Sequence, residues 1–348
     1  MQSIAELLDK THKFFLNKQI DDARYHAERL LAECLNSDRM TVYLNLEKIA
    51  DEDLISSYRN RIQSFLNSPK NDQMLFDVLT GLKKKFKESQ VPEADLHAEE
   101  IVAHILNMNR NELKLIDDRP LAIDELDFIK RLSERRLKRE PLQYILGYTE
   151  FYGYPIRLNK NVLIPRPETE LLVEQTLERI KNRSDLNVLD IGTGSGCIAI
   201  ALKKQRPDLN ITAIDFSEQA ILQAEKNAGK NAVEIRFIQF DFLDRRNWPS
   251  LGNFDLFISN PPYVNQSDLQ TLEAELSFEP QSALSDFSDG FTFYRAIADF
   301  AGNHLNENGL IAMEIGYNQS DELCRIFSAW QSEVLKDYNS IDRIVICK

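Results

Sequence analysis

Between Asn187 and Lys204 an apolar, strand-like run (Asn187–Ile191) passes straight into Gly192-Thr193-Gly194-Ser195-Gly196, and a run of helical spacing (Ile198–Lys204) follows. Glycines at alternate positions let the backbone turn sharply and come close to a ligand. The helix that follows offers its free amino-terminal N–H groups at the same place. The chain after this point keeps alternating. Ile211–Asp215, Glu234–Phe240, Asp255–Ser259 and Leu310–Ile315 read as short strands, and Glu218–Ala228 and Phe291–Leu305 have helical spacing. Val334–Tyr338 and Arg343–Cys347 complete the set, with one antiparallel strand expected. Such alternation predicts an α/β fold, a doubly wound sheet with its ligand site at the carboxyl ends of the strands.

The first 140 residues read instead as helices. Ser3-Ile4-Ala5-Glu6 has the spacing of a capping box, Leu7, Leu8, Phe14 and Phe15 recur at helical intervals, and Pro92 suits the first position of a helix running to about Asn107. A shift of 71 residues superposes Ala23 on Ala94, His26 on His97, Ala27 on Ala98 and Glu28 on Glu99, and gives nine identities over positions 23 to 44. The region therefore reads as one helical module in two copies, residues 1–70 and 71–140, joined across Asn67-Ser68-Pro69-Lys70-Asn71. At matching places in two repeats, His26 and His97 read as packing or helix-surface residues rather than metal ligands. Residues 141–164 then form a β-hairpin linker, with Gly153-Tyr154-Pro155 as turn material, ahead of the α/β domain at 165–348.

Composition excludes some functions. At 348 residues the chain suits two or three domains, and a formal net charge of −13 argues against primary nucleic-acid binding. The basic runs Lys83-Lys84-Lys85 and Arg135–Arg139 read as solvated helix faces. No apolar stretch suits a membrane span, and the opening MQSIAELLDK lacks the pattern of a secretory signal. Cys34, Cys197, Cys324 and Cys347 form no CxxC pair, which suits the reduced thiols of a cytoplasmic protein and no metal site.

The chemistry concentrates at the strand ends. The glycine spacing is G-x-G-x-G after Asp190, not the G-x-G-x-x-G of dinucleotide sites. That fits S-adenosyl-L-methionine, which has no pyrophosphate and whose cationic methionine end an acidic residue can order. Asp215, ending the second strand, can accept from both ribose hydroxyls. Asp241-Phe242, ending the third, suits adenine, with a carboxylate for the exocyclic amine and a ring for the base face. Asn260-Pro261-Pro262-Tyr263 follows the strand ending at Ser259. Two prolines force the chain out of the sheet and hold Asn260 rigidly. An amide nitrogen is a poor nucleophile. The Asn260 side-chain oxygen and the Pro261 carbonyl could each accept one of its N–H groups and aim it at an activated methyl, with Tyr263 against the planar group.

Asn-Pro-Pro-Tyr in this setting resembles the motif of methyltransferases acting on planar NH2 groups. Together with Ile164-Pro165-Arg166-Pro167-Glu168-Thr169-Glu170, Gln143–Gly147, Phe151-Tyr152-Gly153, Glu279–Leu284 and Gly309–Gly316, it is similar to the HemK/PrmC family of release factor N(5)-glutamine methyltransferases. The resemblance runs from about residue 75 to the end. It implies a Rossmann-like class I methyltransferase domain behind the all-α region, and S-adenosyl-L-methionine lined by Gly192, Thr193, Gly194, Ser195, Gly196, Asp215, Phe242 and Asn260. It also implies that Asn260, Pro261, Pro262 and Tyr263 receive the glutamine of the Gly-Gly-Gln tip of class I peptide chain release factors. Two departures stand out. The family commonly has one helical module, and Ser285-Asp286-Phe287-Ser288 stands where it often has a Gly-Gly step. A nucleic-acid amino methyltransferase and a ribosomal-protein glutamine methyltransferase are the rival enzymatic readings.

Overall fold

A computed structural model describes residues 2–20, 23–35, 37, 39–67, 73–116 and 119–348. The chain divides into two compact units, Met1–Lys138 and Arg139–Lys348.

In the first unit, β1 (Gln2–Ser3) leads into α1 (Ile4–Asn17), then α2 (Ala23–Cys34), α3 (Arg39–Leu44), β2 (Ile49–Ala50) and α4 (Glu52–Asn67). The second half runs through α5 (Leu75–Glu88), α6 (Ala94–Leu106), a 3-10 turn at Arg110–Leu115 and α7 (Ile123–Leu137). Adding 71 to the bounds of α1 gives α5, and α3 maps in the same way onto the 3-10 turn. The pairing Ser3↔Ile49 recurs as Met74↔Pro120, and the bond from Ile4 N–H to Lys48 O recurs from Leu75 N–H to Arg119 O. The duplication is thus structural down to single hydrogen bonds. The Ser3–Glu6 capping box forms in copy one; copy two has Met74 at the matching place and no side-chain cap. His26 packs on Phe65, whose counterpart 71 residues on is Arg136, and Arg136 Nε donates to His97 Nδ1 at 3.1 Å. Both histidines are buried, in keeping with packing. Arg136 is fully buried too, so the run Arg135–Arg139 is not simply a solvated face. Pro92 precedes α6 by a turn, with Glu93 left-handed at φ 49°, instead of opening the helix. Of the expected linker, Ser68–Asn71 lies outside the described residues.

The second unit opens with α8 (Leu142–Leu146), so the aromatic stretch from Gln143 begins as helix. It stops at Gly147, whose φ of 81° suits a glycine cap. The hairpin of β3 (Tyr148–Phe151) and β4 (Tyr154–Arg157) follows, then α9 (Pro167–Ile180). The sheet comprises β5 (Asn187–Ile191), β6 (Asn210–Asp215), β7 (Arg236–Gln239), β8 (Phe254–Ser259), β9 (Leu305–Glu314), β10 (Ser332–Lys336) and β11 (Asp342–Cys347), in the order β10-β11-β9-β8-β5-β6-β7. Only β11 runs against its neighbours, matching the one antiparallel strand expected.

Between the strands lie α10 (Cys197–Gln205), α11 (Glu218–Lys230), the single turn α12 (Gln281–Leu284), α13 (Thr292–His304) and α14 (Ser320–Ile326). Strand side chains alternate between two cores. Val188, Leu256, Ile258 and Ala312 face one with α9 and α10, while Leu189, Phe257, Ile311 and Met313 face the other with Tyr294, Ile297 and Phe300 of α13. Burial on both faces is why the strands read as apolar runs. Strand order reverses between β5 and β8, and in open α/β sheets the carboxyl ends of the strands at such a point are where ligands bind. Among the described residues no helix is long and apolar enough to cross a membrane.

Candidate functional site

Sheet register assembles the site. Ile214 of β6 pairs with Ile191 of β5, Ile191 with Ser259 of β8, and Ser259 with Met313 of β9. The next residues on these four strands are Asp215, Gly192, Asn260 and Glu314. With strands about 4.8 Å apart, four motifs separated in sequence therefore leave the sheet side by side. Ser259 Oγ donates to Ile191 O at 2.7 Å, locking the start of the proline segment to the start of the glycine loop.

Gly192, Gly194 and Gly196 have φ values of 74°, 54° and 81°, a region costly for any residue with a Cβ. A Cβ on Gly196 would also sit 3.0 Å from that of Ala224, so this glycine lets the loop pack on α11. Nothing lies within 4 Å of a Cβ built on Gly192 or Gly194, so these two open onto free space. Asp215 orders the loop from the neighbouring strand: Gly194 N–H donates to Oδ2 and Ser217 N–H to Oδ1, each at 2.9 Å. Burial lifts its carboxyl above the ordinary range against the pull of these two donors. Asp190 is fully buried behind the loop; Thr193 Oγ1 donates to Oδ2 at 2.6 Å, and Oδ1 has no hydrogen-bond partner among the described residues. Burial pushes this carboxyl up to about 7. An open glycine cradle, acceptor lone pairs remaining on Asp215 and an unpartnered carboxylate oxygen fit a ligand carrying hydroxyls and a cationic group.

Pro261 is buried, and Asn260 and Tyr263 are half-buried. Asn260 Nδ2 donates to Thr169 Oγ1 at 3.1 Å, and Thr169 Oγ1 donates to Glu314 Oε2 at 2.5 Å. Tyr263 OH reaches Glu314 Oε1 at 3.3 Å. Gln319 Nε2 donates to Tyr263 O at 3.1 Å, and a Cβ on Gly290 would fall 2.5 Å from that same oxygen. The strings carrying the family resemblance now have physical roles. Arg166 pairs with buried Glu279 at 2.6 Å, Glu279 also accepts from Ile164 N–H, and Glu170 accepts from Tyr152 N–H. Asp286, in the loop that departs from the family pattern, accepts from the N–H groups of Ser288, Gly290 and Thr292 and so orders that loop itself.

Phe242 follows β7 by three residues. Its ring is 4% exposed, packed against Trp248 and edge-on to Phe300, while Trp248 Nε1 donates to the Phe242 carbonyl. The ring is thus part of the core on that side of the sheet. The neighbouring exposed groups are Leu243 and Asp241, and Asp241 accepts from Leu243 N–H. Sequence reasoning missed Thr169 and Glu314. Both stood in the quoted strings, but nothing local announced that they meet.

Residues 167–284 match the model of the Methyltransferase small domain, and residues 6–68 and 77–147 match that of the PrmC N-terminal domain. Fold and family models thus define a methyltransferase whose Rossmann-like catalytic domain follows duplicated helical modules in the chain. Curated relatives narrow the class. A release factor glutamine methyltransferase of Fusobacterium nucleatum is 37% identical over 90% of this chain and 93% of its own length. Those of Chlorobaculum tepidum and Thermodesulfovibrio yellowstonii are 37% and 41% identical over 75% and 72% of this chain, and 92% and 90% of theirs. The chain belongs to the release factor glutamine methyltransferase family. Copy two through the carboxyl terminus makes up about four-fifths of the chain, so the Fusobacterium match at 90% reaches into copy one. Among solved structures, the ribosomal protein L11 methylase of Lactobacillus delbrueckii subsp. bulgaricus is 23% identical over 56% of this chain and 84% of that chain, with a TM-score of 0.39.

Proposed function

We propose that this enzyme transfers a methyl group from S-adenosyl-L-methionine to the side-chain amide nitrogen of the glutamine in the Gly-Gly-Gln motif of class I peptide chain release factors, in the cytoplasm. The observation that carries the reading is the alignment of Gly192, Asp215 and Asn260 one step beyond a common register line. That alignment supports reading the glycine loop as a cradle for a nucleoside ligand beside a rigid amide acceptor. The cofactor supplies the activated methyl. Gly192–Gly196 would hold its methionine part, Asp215 its ribose hydroxyls, and the end of β7 about Asp241–Leu243 its base. A cationic group near Asp190 would meet the unpartnered Oδ1 and draw that carboxyl back down.

Asn260 Oδ1 and the Pro261 carbonyl each accept one N–H of the substrate amide, which turns the nitrogen lone pair toward the methyl and favours the pyramidal geometry of the transition state. Tyr263 lies against the planar amide. The amide proton released on methylation leaves from nitrogen after transfer, so no strong base is required. The test is mass spectrometry of purified release factor incubated with enzyme and cofactor. One added methyl on the motif's glutamine is expected; an unmodified factor, with methylated nucleic acid or ribosomal protein instead, would overturn the reading.

Asp215→Asn replaces one acceptor with a donor at nearly constant shape. Calorimetry is expected to show cofactor affinity weakened by about tenfold, about 1.4 kcal/mol. Unchanged affinity would remove the ribose from the end of β6.

A further inference from the structure

An asparagine amide has an acceptor end and a donor end, and only the acceptor end can take an N–H from a substrate NH2 group. Which end faces the substrate is decided by whatever grips the other. We propose that Glu314 and Thr169 form a one-way hydrogen-bond relay that holds Asn260 with Oδ1 toward the substrate nitrogen, which makes both of them positioning residues for methyl transfer. The proposal rests on the reading of Asn260 as a substrate acceptor.

The relay follows from counting protons. An ionised Glu314 can only accept, and its Oε2 lies 2.5 Å from Thr169 Oγ1. The single hydroxyl proton of Thr169 is thereby committed. Its remaining lone pairs can only accept, and the group 3.1 Å away is Asn260 Nδ2. The opposite amide orientation would set Oδ1 against Oγ1 with no proton between them, two acceptors in contact inside a buried site. Thr169 and Glu314 are both buried, so water cannot relieve that conflict.

Protonation of Glu314 would reverse the logic. The carboxyl faces Thr169 and Glu168 from α9, Tyr263 from the proline segment and Arg343 from β11, and the Tyr294 hydroxyl of α13 donates to the Glu314 backbone oxygen. Burial, the largest influence, raises the carboxyl to about 7; Thr169, Arg343 and Tyr263 oppose it and Glu168 adds to it. Tyr263 OH lies 3.3 Å from Oε1 and can donate to it, and a proton on Oε2 turns that oxygen into a donor toward Thr169. Thr169 can then donate to Asn260, whose amide turns over and presents N–H groups to a substrate that also presents N–H groups. The competent form is the ionised one, so turnover is lost as pH falls through the Glu314 pKa.

The test is a cycle of Thr169→Val, Asn260→Ala and the double variant, assayed on release factor with cofactor affinity measured by calorimetry. Thr169→Val is expected to lower kcat by about tenfold with cofactor affinity within about threefold, and Thr169→Ser to restore kcat to within about threefold. In the Asn260→Ala background Thr169→Val should cost nothing further, because the relay then has nothing to hold; a merely structural threonine would cost the same in both backgrounds. Wild-type kcat should fall between about pH 8 and pH 6, and the Thr169→Val profile should be flat there. Wild-type turnover in Thr169→Val alongside an impaired Asn260→Ala overturns the relay and leaves the Asn260 reading standing. Normal turnover in Asn260→Ala removes that reading and the relay with it. Additive losses in the double variant also overturn the relay. Should Thr169→Val lack a native melting transition, Thr169→Ala takes its place in the cycle under the same criteria.

Discussion

Asn260→Ala is expected to cut turnover by about 10²-fold or more, about 2.7 kcal/mol or more of barrier, while cofactor affinity stays within roughly tenfold. The asymmetry follows from what the side chain does. Its Nδ2 end is engaged by Thr169, and its strand neighbour Ser259 is tied to β5, so the residue is fixed before substrate arrives. On the proposed reading, the Oδ1 end gains most where the substrate nitrogen rehybridises and its N–H bonds become more acidic, which is at the transition state. An interaction strengthened there raises kcat rather than affinity. Truncation to alanine leaves the prolines and the sheet register untouched, so the melting temperature should hold. Turnover and substrate KM on purified release factor, with calorimetry for the cofactor, give the decisive comparison. A variant that keeps near-normal kcat would show that the amide nitrogen is positioned by other groups.

How much of this could be read from sequence depends on how local each feature is. The glycine loop, Asp215 and Asn260–Tyr263 stand out because strand, turn and helix signals lie within a few residues of one another, and the strand runs there are apolar enough to fix an alternating α/β sheet. The helical duplication was legible because nine identities survive at one shift, and the elements follow that shift. What sequence could not give is pairing at a distance. Thr169 and Glu314 are 145 residues apart and meet only because α9 packs beside β9. Arg166 and Glu279 are 113 apart, and a surface arginine looks the same in sequence. Phe242 is read from strand position alone, and position does not show that its ring packs beside Trp248 and Phe300. Arg136 reads as one charge in a basic run, since nothing local shows that it is buried and donates to His97 on another helix.

Arg29→Ala is expected to destabilise the amino-terminal unit by about 2–3 kcal/mol and to lower its melting temperature by roughly 5–10 °C. Arg29 lies in copy one, 7% exposed, and its guanidinium reaches Asp124 at 2.7 Å and Glu125 at 3.9 Å in the first turn of α7, in copy two. Its guanidinium also lies 5.9 Å from the Phe65 ring. Removing one partner of a buried pair costs more than the pair contributes, because the other charge stays desolvated. The figure is set below that of a fully enclosed pair for two reasons. Asp124 is 27% exposed and regains water, and fully buried Glu125 keeps Arg119 at 2.9 Å and the Ala122 N–H. The pair crosses between the copies, so copy one is joined to copy two by more than the chain between them. A double-mutant cycle with Asp124→Ala should return a coupling of about 1 kcal/mol or more; additivity would mean the pair contributes nothing to the union of the copies. Turnover on free release factor should stay within about threefold in Arg29→Ala, since every residue placed at the site lies between Arg139 and Lys348. Deleting residues 1–70 carries the same expectation further: an active enzyme with a less stable amino-terminal unit. A loss of turnover beyond about tenfold, with the carboxyl-terminal unit still folded, would show that copy one takes part in the reaction itself.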